Sequence, residues 1–418
     1  VDYSTARSSD LLDEEKIDIY DLARYVPTRK TVDVLMQNYY DTYQIWLPSQ
    51  QWILLKTYVK SLIKWERMAE SEDEFCKFVP RQTWVSGFFT VLALGVRDDI
   101  DPKISIMVQG DKYMAVSERL MALSPNSEST FNHDWINTAM LNHIYYQETN
   151  RRTLASLWLS QGIQAAYRTG VATALTSADP HLWWSLFTAD RISALRWGRD
   201  VIIHERYLPS SYLLPNGVKS QKPEQLSLDE DTRFFNIVVH LIRMTDVTCR
   251  TLSSQVSLSK LTIDTFNSYF ETFWALLPAH VLDSELNEPL EYKGFFIVLV
   301  VKYAQHNLMR TNFSPIATRA QFYRSAEACY NGAKTVCGFV RRVLLFFGGF
   351  SDTNKLVLDD KFWARAYSNF SRVVNDTVVT HLWQCSLIAF AFEDCNTGRA
   401  VVSAIRAASR ARKGFGMY

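Results

Sequence analysis

The histidines are the side chains whose type could most directly support catalysis or metal binding. Eight occur in the sequence: His133, His143, His181, His204, His240, His280, His306 and His381. No two of them lie three or four residues apart, so no single helix can present two imidazoles to one metal ion. The sequence also lacks a G-x-S-x-G elbow, a Walker loop, a G-x-G-x-x-G loop and an H-E-x-x-H motif. We therefore predict no catalytic residues, no metal site within this chain and no enzyme activity.

The acidic run at 97–101 could bind magnesium if the chain were an all-helical enzyme such as a terpene cyclase. Such enzymes need a second cluster of hard oxygen ligands further along the chain. After Asp376, the positions that should supply a hydroxyl and a carboxylate hold Val379 and Trp383, which cannot coordinate a hard cation. Because Pro102 follows the run at once, we interpret the acidic residues as a solvated helix end. An all-α enzyme is therefore our least favoured hypothesis.

Cysteine spacing, net charge and hydropathy indicate which cellular compartment suits the chain and which partners it can bind. The six cysteines share no C-x-x-C spacing and are too sparse for a disulfide framework, so we expect reduced thiols. The formal net charge of +1 provides no global positive field to hold DNA or an anionic membrane. The longest apolar run, 84–96, is shorter than the roughly 20 residues of a membrane span. The chain begins with Val1 rather than Met, and we expect it to be part of a longer polypeptide.

A basic segment near the end of the chain could contact phosphate groups or a nuclear import receptor. Its cations are Arg399, Arg406, Arg410, Arg412 and Lys413. Val401, Val402, Ala404 and Ile405 lie among them and supply an apolar face. We favour the simpler interpretation, a terminal helix with one solvated face.

The elements that must position these residues are predicted to be helices. Fifteen glycines and 12 prolines in 418 residues are about half of average usage, which favours long helices over tight turns. Val32, Leu35, Met36 and Tyr39 follow the spacing of a buried helix face. Similar patterns predict helices at 51–67, 82–96, 112–123, 134–147, 154–169, 181–196, 232–252, 262–276, 292–309, 319–347, 360–392 with an interruption, and 399–412. We predict an all-α fold, an irregular multi-helix array in two packed halves without a sheet.

Proline, glycine and polar residues concentrate at 207–231, which we predict to be a linker or loop. Residues 1–30 form an acidic lead-in, and 31–206 form the N-terminal helical half. Residues 232–418 form the C-terminal half and end with the basic helix.

A distinctive motif lies just before this linker. The sequence from His181 to Arg191 contains a Trp-Trp pair and ends in Asp-Arg, and a Gly-Arg pair follows at Arg199. This motif resembles the central signature of the fungal-specific transcription factor domain, the middle homology region of fungal zinc-cluster regulators. The matching residues are Trp183, Trp184, Asp190, Arg191, Gly198 and Arg199.

Further elements resemble the family in the same order along the chain, and together they cover about residues 30–410. They are Ala93-Leu94-Gly95, the segment from Trp274 to Pro278, the segment from His306 to Arg310, and the segment from Cys329 to Ala333. Two departures stand out. Asp179 and Pro180 precede His181 where the family has a basic run, and Asp200 replaces a proline.

The motif also has a physical interpretation that does not depend on the family. Pro180 favours a helix start that Asp179 can cap, and Gly198 favours a left-handed helix end. A carboxylate beside large apolar side chains requires a partner, so we expect Asp190 or Asp200 to pair with Arg191 or Arg199. We favour a structural clamp that joins the helices on either side of the linker over an effector-binding role.

The resemblance implies the regulatory domain of a nuclear transcription factor that controls transcription by RNA polymerase II. DNA would be bound by an N-terminal zinc module outside these residues, with zinc there and no cofactor in this chain. A small effector, a regulatory protein and a second copy of the chain are further partners that the resemblance allows, whereas no membrane is expected. The alternative hypothesis is a helical scaffold of the same fold that acts in protein assembly.

Overall fold

The computed structural model describes residues 25–44, 82–96, 106–123, 132–171, 180–204, 231–254, 259–275, 277–350 and 359–411. Within these ranges the chain forms helices and no strand, so the predicted all-α fold is confirmed. The α-helices are α1 (Arg29–Tyr39), α2 (Gln82–Gly95), α3 (Ile106–Leu123), α4 (His133–Glu148), α5 (Arg152–Arg168), α6 (Pro180–Trp197), α7 (Asp231–Ser254), α8 (Lys260–Trp274), α9 (Ala279–Leu282), α10 (Tyr292–Arg310), α11 (Arg319–Gly348), α12 (Asp360–Val373), α13 (Asp376–Ala391) and α14 (Cys395–Ala411). A π-helical turn (Tyr40–Gln44) follows α1, and a 3-10 turn (Thr311–Phe313) follows α10.

The predicted helices agree with these elements, although several of their ends differ. The helix predicted from residue 112 begins at Ile106, and the terminal helix predicted from residue 399 begins at Cys395. The predicted interruption of 360–392 lies between α12 and α13, where Asn375 Oδ1 accepts a hydrogen bond from the Val378 amide. The short helix α9 was not predicted. The helix predicted at 51–67 and the acidic run at 97–101 lie outside the described residues.

The chain divides into two compact units, and the division falls within α6 after Leu186. This position differs from the predicted boundary at 207–231, of which only residue 231 is described. Among the described residues, no helix combines the length and the apolar character that a bilayer span requires.

In the first unit, α2 is buried almost all round and packs against α1, α3 and α4. Its polar side chains pair with those neighbours: Thr90 Oγ1 donates to Asn142 Oδ1 of α4 at 2.8 Å, and the Ser86 and Ser117 hydroxyls lie 2.8 Å apart. The predicted α1 face is confirmed, because Val32, Leu35, Met36 and Tyr39 are its buried residues.

In the second unit, α10 is buried on most of its surface and packs against α7, α11 and α13. The 30-residue helix α11 also contacts α12, α13 and α14. It begins with a capping box in which Thr318 and Gln321 satisfy each other's backbone amides. Two of these helices, α10 and α13, carry the buried histidine and cysteine side chains that are described below.

Candidate functional site

The signature motif forms α6 and the turn that follows it. Pro180 is the first helical residue, where its missing N–H costs no hydrogen bond. Gly198 ends the helix with a φ of +62°, as predicted, and no atom lies within 4 Å of the place that a Cβ would occupy. The requirement for glycine there is therefore one of backbone conformation and not of space. Asp179, the predicted cap, lies outside the described residues.

The two tryptophans of the motif lie in the first unit and are core residues. Trp183 and Trp184 are both buried, and the Trp183 ring lies 5.9 Å from the ring of Tyr167 on α5. Neither side chain belongs to the charged part of the motif, which lies in the second unit. Their role in the fold is to fill the space around α6.

Arg191 is at the centre of a buried charge network in the second unit. Its side chain is 1% exposed, yet each of its three nitrogens donates a hydrogen bond. Nε bonds Oδ1 of Asp246 at 2.5 Å, Nη1 bonds Oδ2 of Asp190 at 2.5 Å, and Nη2 bonds the Ile203 carbonyl at 2.8 Å. The guanidinium also lies 4.3 Å from the centre of the Phe187 ring. The Arg191 side chain therefore connects α6 both to the segment that follows it, at Ile203, and to α7, at Asp246. These two elements lie on either side of the predicted linker in the sequence.

Asp190 is fully buried and saturated with donors. Besides Arg191, its carboxylate accepts hydrogen bonds from the backbone amides of Ile202 and Ile203 at 3.0 Å. Arg199 Nη2 adds a bond at 3.1 Å. Because its acceptor positions are occupied, Asp190 has no free lone pair with which to act as a base or bind a metal. The arrangement suits a structural role.

The predicted pairing of Asp190 with Arg191 and Arg199 is present, whereas the Asp200 alternative is not. Arg199 Nη1 donates to the backbone carbonyl of Asp200 at 2.9 Å, and the Asp200 side chain is exposed. The substitution of aspartate for the family's proline thus leaves the contact between Arg199 and Asp190 intact.

A second ion pair ties α6 to α13. Arg196 pairs with Asp376, the first residue of α13, and both side chains are buried or nearly so. The carboxylate also lies in the first turn of its helix, where negative charge is favourable. Asp376 therefore serves in an ion pair with Arg196.

A separate cluster of three buried side chains lies deeper in the second unit. His306 of α10 and His381 and Cys385 of α13 place one potential ligand atom each within 4.8 Å of the others. Cys385 Sγ lies 3.6 Å from His381 Nε2 and 3.9 Å from His306 Nδ1. The two imidazoles stack with centres 5.2 Å apart, and the Tyr303 ring packs edge-on against His381.

Burial controls the protonation of this cluster. Desolvation lowers the pKa of His306 to about 3; Lys302 and Arg310 act in the same direction, and a backbone hydrogen bond with Cys329 opposes them. Desolvation, with the charges of His306 and Lys302, also lowers the pKa of His381 well below its usual value. Burial raises the pKa of the Cys385 thiol. At neutral pH the cluster therefore contains two neutral imidazoles and a protonated thiol.

Sequence reasoning missed this cluster and two of the acidic partners. The search for metal ligands considered histidine pairs, whereas the pair on α13 is a histidine and a cysteine four residues apart, which share a helix face. His306, Asp246 and Asp376 lie far from their partners in the sequence. Only the i, i+4 spacing of His381 and Cys385 could have indicated the site.

Comparison with known proteins adds no further likeness. No protein-family model, no curated protein and no solved structure matches this chain. The resemblance to the fungal domain rests on the ordered motifs of the sequence.

Proposed function

We propose that this chain is the regulatory domain of a fungal zinc-cluster transcription factor, which acts in the nucleus on transcription by RNA polymerase II. In this proposal a zinc module outside residues 1–418 binds the DNA. The domain restrains or releases activation through an effector or a protein partner. It requires no catalytic residue and no zinc in this chain.

The observation that carries the proposal is the network around Arg191. In the sequence, three of its residues, Asp190, Arg191 and Arg199, belong to the motif that resembles the family signature. In the structure, the same residues join α6 to α7 through Arg191 and Asp246. A buried ion pair with several partners often contributes more to the choice of one packing arrangement than to stability. We infer that, within the second unit, the network fixes α7 relative to the part of α6 that follows Leu186.

Such a network suits regulation by a shift between conformations. An effector can change the balance between two conformations only if it binds one of them more tightly than the other. Charged groups that are satisfied in one packing and unsatisfied in another make intermediate packings costly. The domain would therefore alternate between distinct arrangements and would not deform gradually.

The distribution of charge supports placing DNA recognition elsewhere. The described cations of the basic segment lie on α14, where Arg399 and Arg406 are exposed and Val401, Ala404 and Ile405 are buried. This is the predicted terminal helix with one solvated face. A few exposed cations on a nearly neutral chain can give salt-sensitive association without sequence preference.

The complete reading frame would distinguish the regulatory domain proposed here from the alternative, a helical scaffold that acts in protein assembly. The proposal expects a six-cysteine cluster followed by a coiled-coil segment upstream of residue 1. A complete frame without such a cluster would contradict the regulator and favour the scaffold that acts in protein assembly.

A titration of the purified chain with duplex DNA tests whether sequence-specific DNA recognition lies outside residues 1–418. We expect weak binding with the same affinity for unrelated sequences. The Arg399→Gln/Arg406→Gln double variant should reduce the slope of log affinity against log salt by up to about 2, because each phosphate contact contributes about 0.9. Arg324→Gln, which removes an exposed cation from α11, is the matched control and should leave the slope unchanged. Tight, sequence-selective binding by residues 1–418 would overturn the proposal.

A further inference from the structure

We propose that His306, His381 and Cys385 form a buried binding site for one copper(I) ion. The site is independent of the proposed function, because neither transcriptional control nor the DNA-binding module requires a metal at this position. It also differs from the sequence-based expectation of no metal in this chain. The argument rests on the geometry, the weak sulfur–nitrogen contacts of the buried donors and the local charge.

The spacing of the three donor atoms suits a metal with a low coordination number. Metal–sulfur and metal–nitrogen bonds of about 2.3 and 2.0 Å, at angles near 120°, separate sulfur from nitrogen by about 3.7 Å. The observed separations from Cys385 Sγ are 3.6 Å to His381 Nε2 and 3.9 Å to His306 Nδ1. Both sulfur–nitrogen separations therefore match such a site, and the two ring nitrogens lie within 4.8 Å of each other.

The cluster is poorly satisfied without a ligand. Its side chains are almost completely inaccessible to solvent, and the contacts between sulfur and nitrogen are weak hydrogen bonds. Buried polar atoms are nearly always paired, so a cluster like this in a core calls for an explanation. A metal ion would use one lone pair from each of the three side chains.

Gly332 of α11 is positioned to accommodate the His306 ring. A Cβ at this position would overlap His306 Nε2, so the absence of a side chain lets α11 approach the ring closely. The ring is therefore held from the side of α11 while its Nδ1 faces Cys385. A second element orients the ligand, as is usual for metal-binding histidines.

Ligand type and number favour copper(I) over zinc. Thiolate and imidazole are ligands for both ions, but structural zinc is almost always four-coordinate. Among the described residues, no fourth histidine, cysteine or carboxylate joins the group. Copper(I) is a soft ion that thiolate ligands select. Three buried donors therefore suit it better.

The charge balance leads to the same ion. Two neutral imidazoles and one thiolate carry a charge of about −1, which a monovalent cation neutralises and a divalent cation overcompensates. The charged residues that affect the two imidazoles are the cations Lys302 and Arg310. An excess positive charge in this pocket would be costly because it is buried beside other cations. On binding, the Cys385 thiol releases its proton to solvent as the metal–sulfur bond forms, and no redox step is needed.

The test uses the purified full chain, freed of metal by a chelator and loaded anaerobically with copper(I). Loading should take hours, because donors that are fully buried become accessible only through local opening. We expect one copper per chain after removal of excess metal by a competing chelator. X-ray absorption at the copper edge should show one sulfur and two nitrogen neighbours.

Variants show whether these residues are responsible. Cys385→Ala should weaken copper binding at least 100-fold, while Cys395→Ala, which alters an exposed cysteine, should retain it. Gly332→Ala should also weaken binding, although it removes no ligand. Circular dichroism and the melting temperature of each metal-free variant establish that it is folded.

Several outcomes would overturn the proposal. They are a wild-type chain that retains no copper, a copper shell without sulfur, and equal retention by Cys385→Ala and wild type. Preferential retention of zinc from an equimolar mixture would overturn the choice of metal. If Cys385→Ala does not fold, the absorption spectrum of the wild-type chain decides the matter alone, because a shell without sulfur excludes Cys385.

Discussion

Replacement of Arg191 by alanine is the most informative perturbation of the network, because it removes three hydrogen bonds at once. The carboxylates of Asp190 and Asp246 and the carbonyl of Ile203 each lose a donor. Asp190 keeps Arg199 and two backbone amides. Asp246 keeps its ion pair with Arg250 at 2.9 Å. Most of the cost should therefore arise at Asp246.

The expected loss is large for a single substitution. Removal of one partner from a buried ion pair typically destabilises a protein by about 3–5 kcal/mol, since the remaining charge is buried without compensation. For a unit of this size each kcal/mol lowers the melting temperature by about 2–4 °C. We expect Arg191→Ala to lower the melting temperature of the second unit by roughly 6–20 °C.

Thermal and urea unfolding followed by circular dichroism measure the effect. Arg250→Ala is the matched control, because Arg250 pairs with the same Asp246 but its side chain is 39% exposed. It should cost about 1 kcal/mol or less. In the Arg191→Met/Asp246→Leu double variant, the loss should be smaller than the sum of the two single losses. A loss for Arg191→Ala no larger than that for Arg250→Ala would refute the clamp.

Three further predictions concern the histidine cluster and the helix ends. Acidification from pH 6.5 to 5 should lower the free energy of unfolding of the metal-free chain, measured in urea, by about 2 kcal/mol through His306 alone. The reason is that His306 has a pKa of about 3 in the folded state, so only the unfolded state binds the proton over this range. His306→Gln should flatten this dependence on pH, and exposed His280→Gln should not. Gly198→Ala should destabilise the chain by about 1 kcal/mol and Gly198→Asn by less, because only the positive φ opposes a side chain there; equal melting temperatures for all three proteins would contradict this. Thr318→Ala should cost about 1 kcal/mol and Thr318→Ser almost nothing, and an alanine variant as stable as the wild-type chain would disprove the capping box.

Among the described residues, local patterns were sufficient to predict the helices other than the four-residue α9. The burial of one face of α1 follows from the spacing of its apolar residues, and the near-complete burial of α2 follows from its unbroken apolar sequence. The end of α6 at Gly198 was predictable because glycine adopts positive φ readily. The start of α14 was predicted four residues too late, because the polar first turn after Cys395 carries little hydrophobic signal.

The sites depended on contacts that no local pattern encodes. Asp190 was predicted to pair because a carboxylate beside large apolar side chains requires a partner. Asp246 is 55 residues from Arg191, and nothing in its own neighbourhood marks it as a partner of Arg191. The same holds for His306, which is 79 residues from Cys385. Local spacing identifies groups on one helix, whereas the packing of helices decides which groups meet.

The most direct test of the central claim is a tethered transcription assay. Residues 1–418 are joined to an unrelated DNA-binding module, and reporter output is compared with that of the module alone at equal protein levels. The account predicts that the chain changes reporter output severalfold, that Arg250→Ala retains the change and that Arg191→Ala reduces it. Identical output from the module with and without the wild-type chain would contradict a role in transcriptional control.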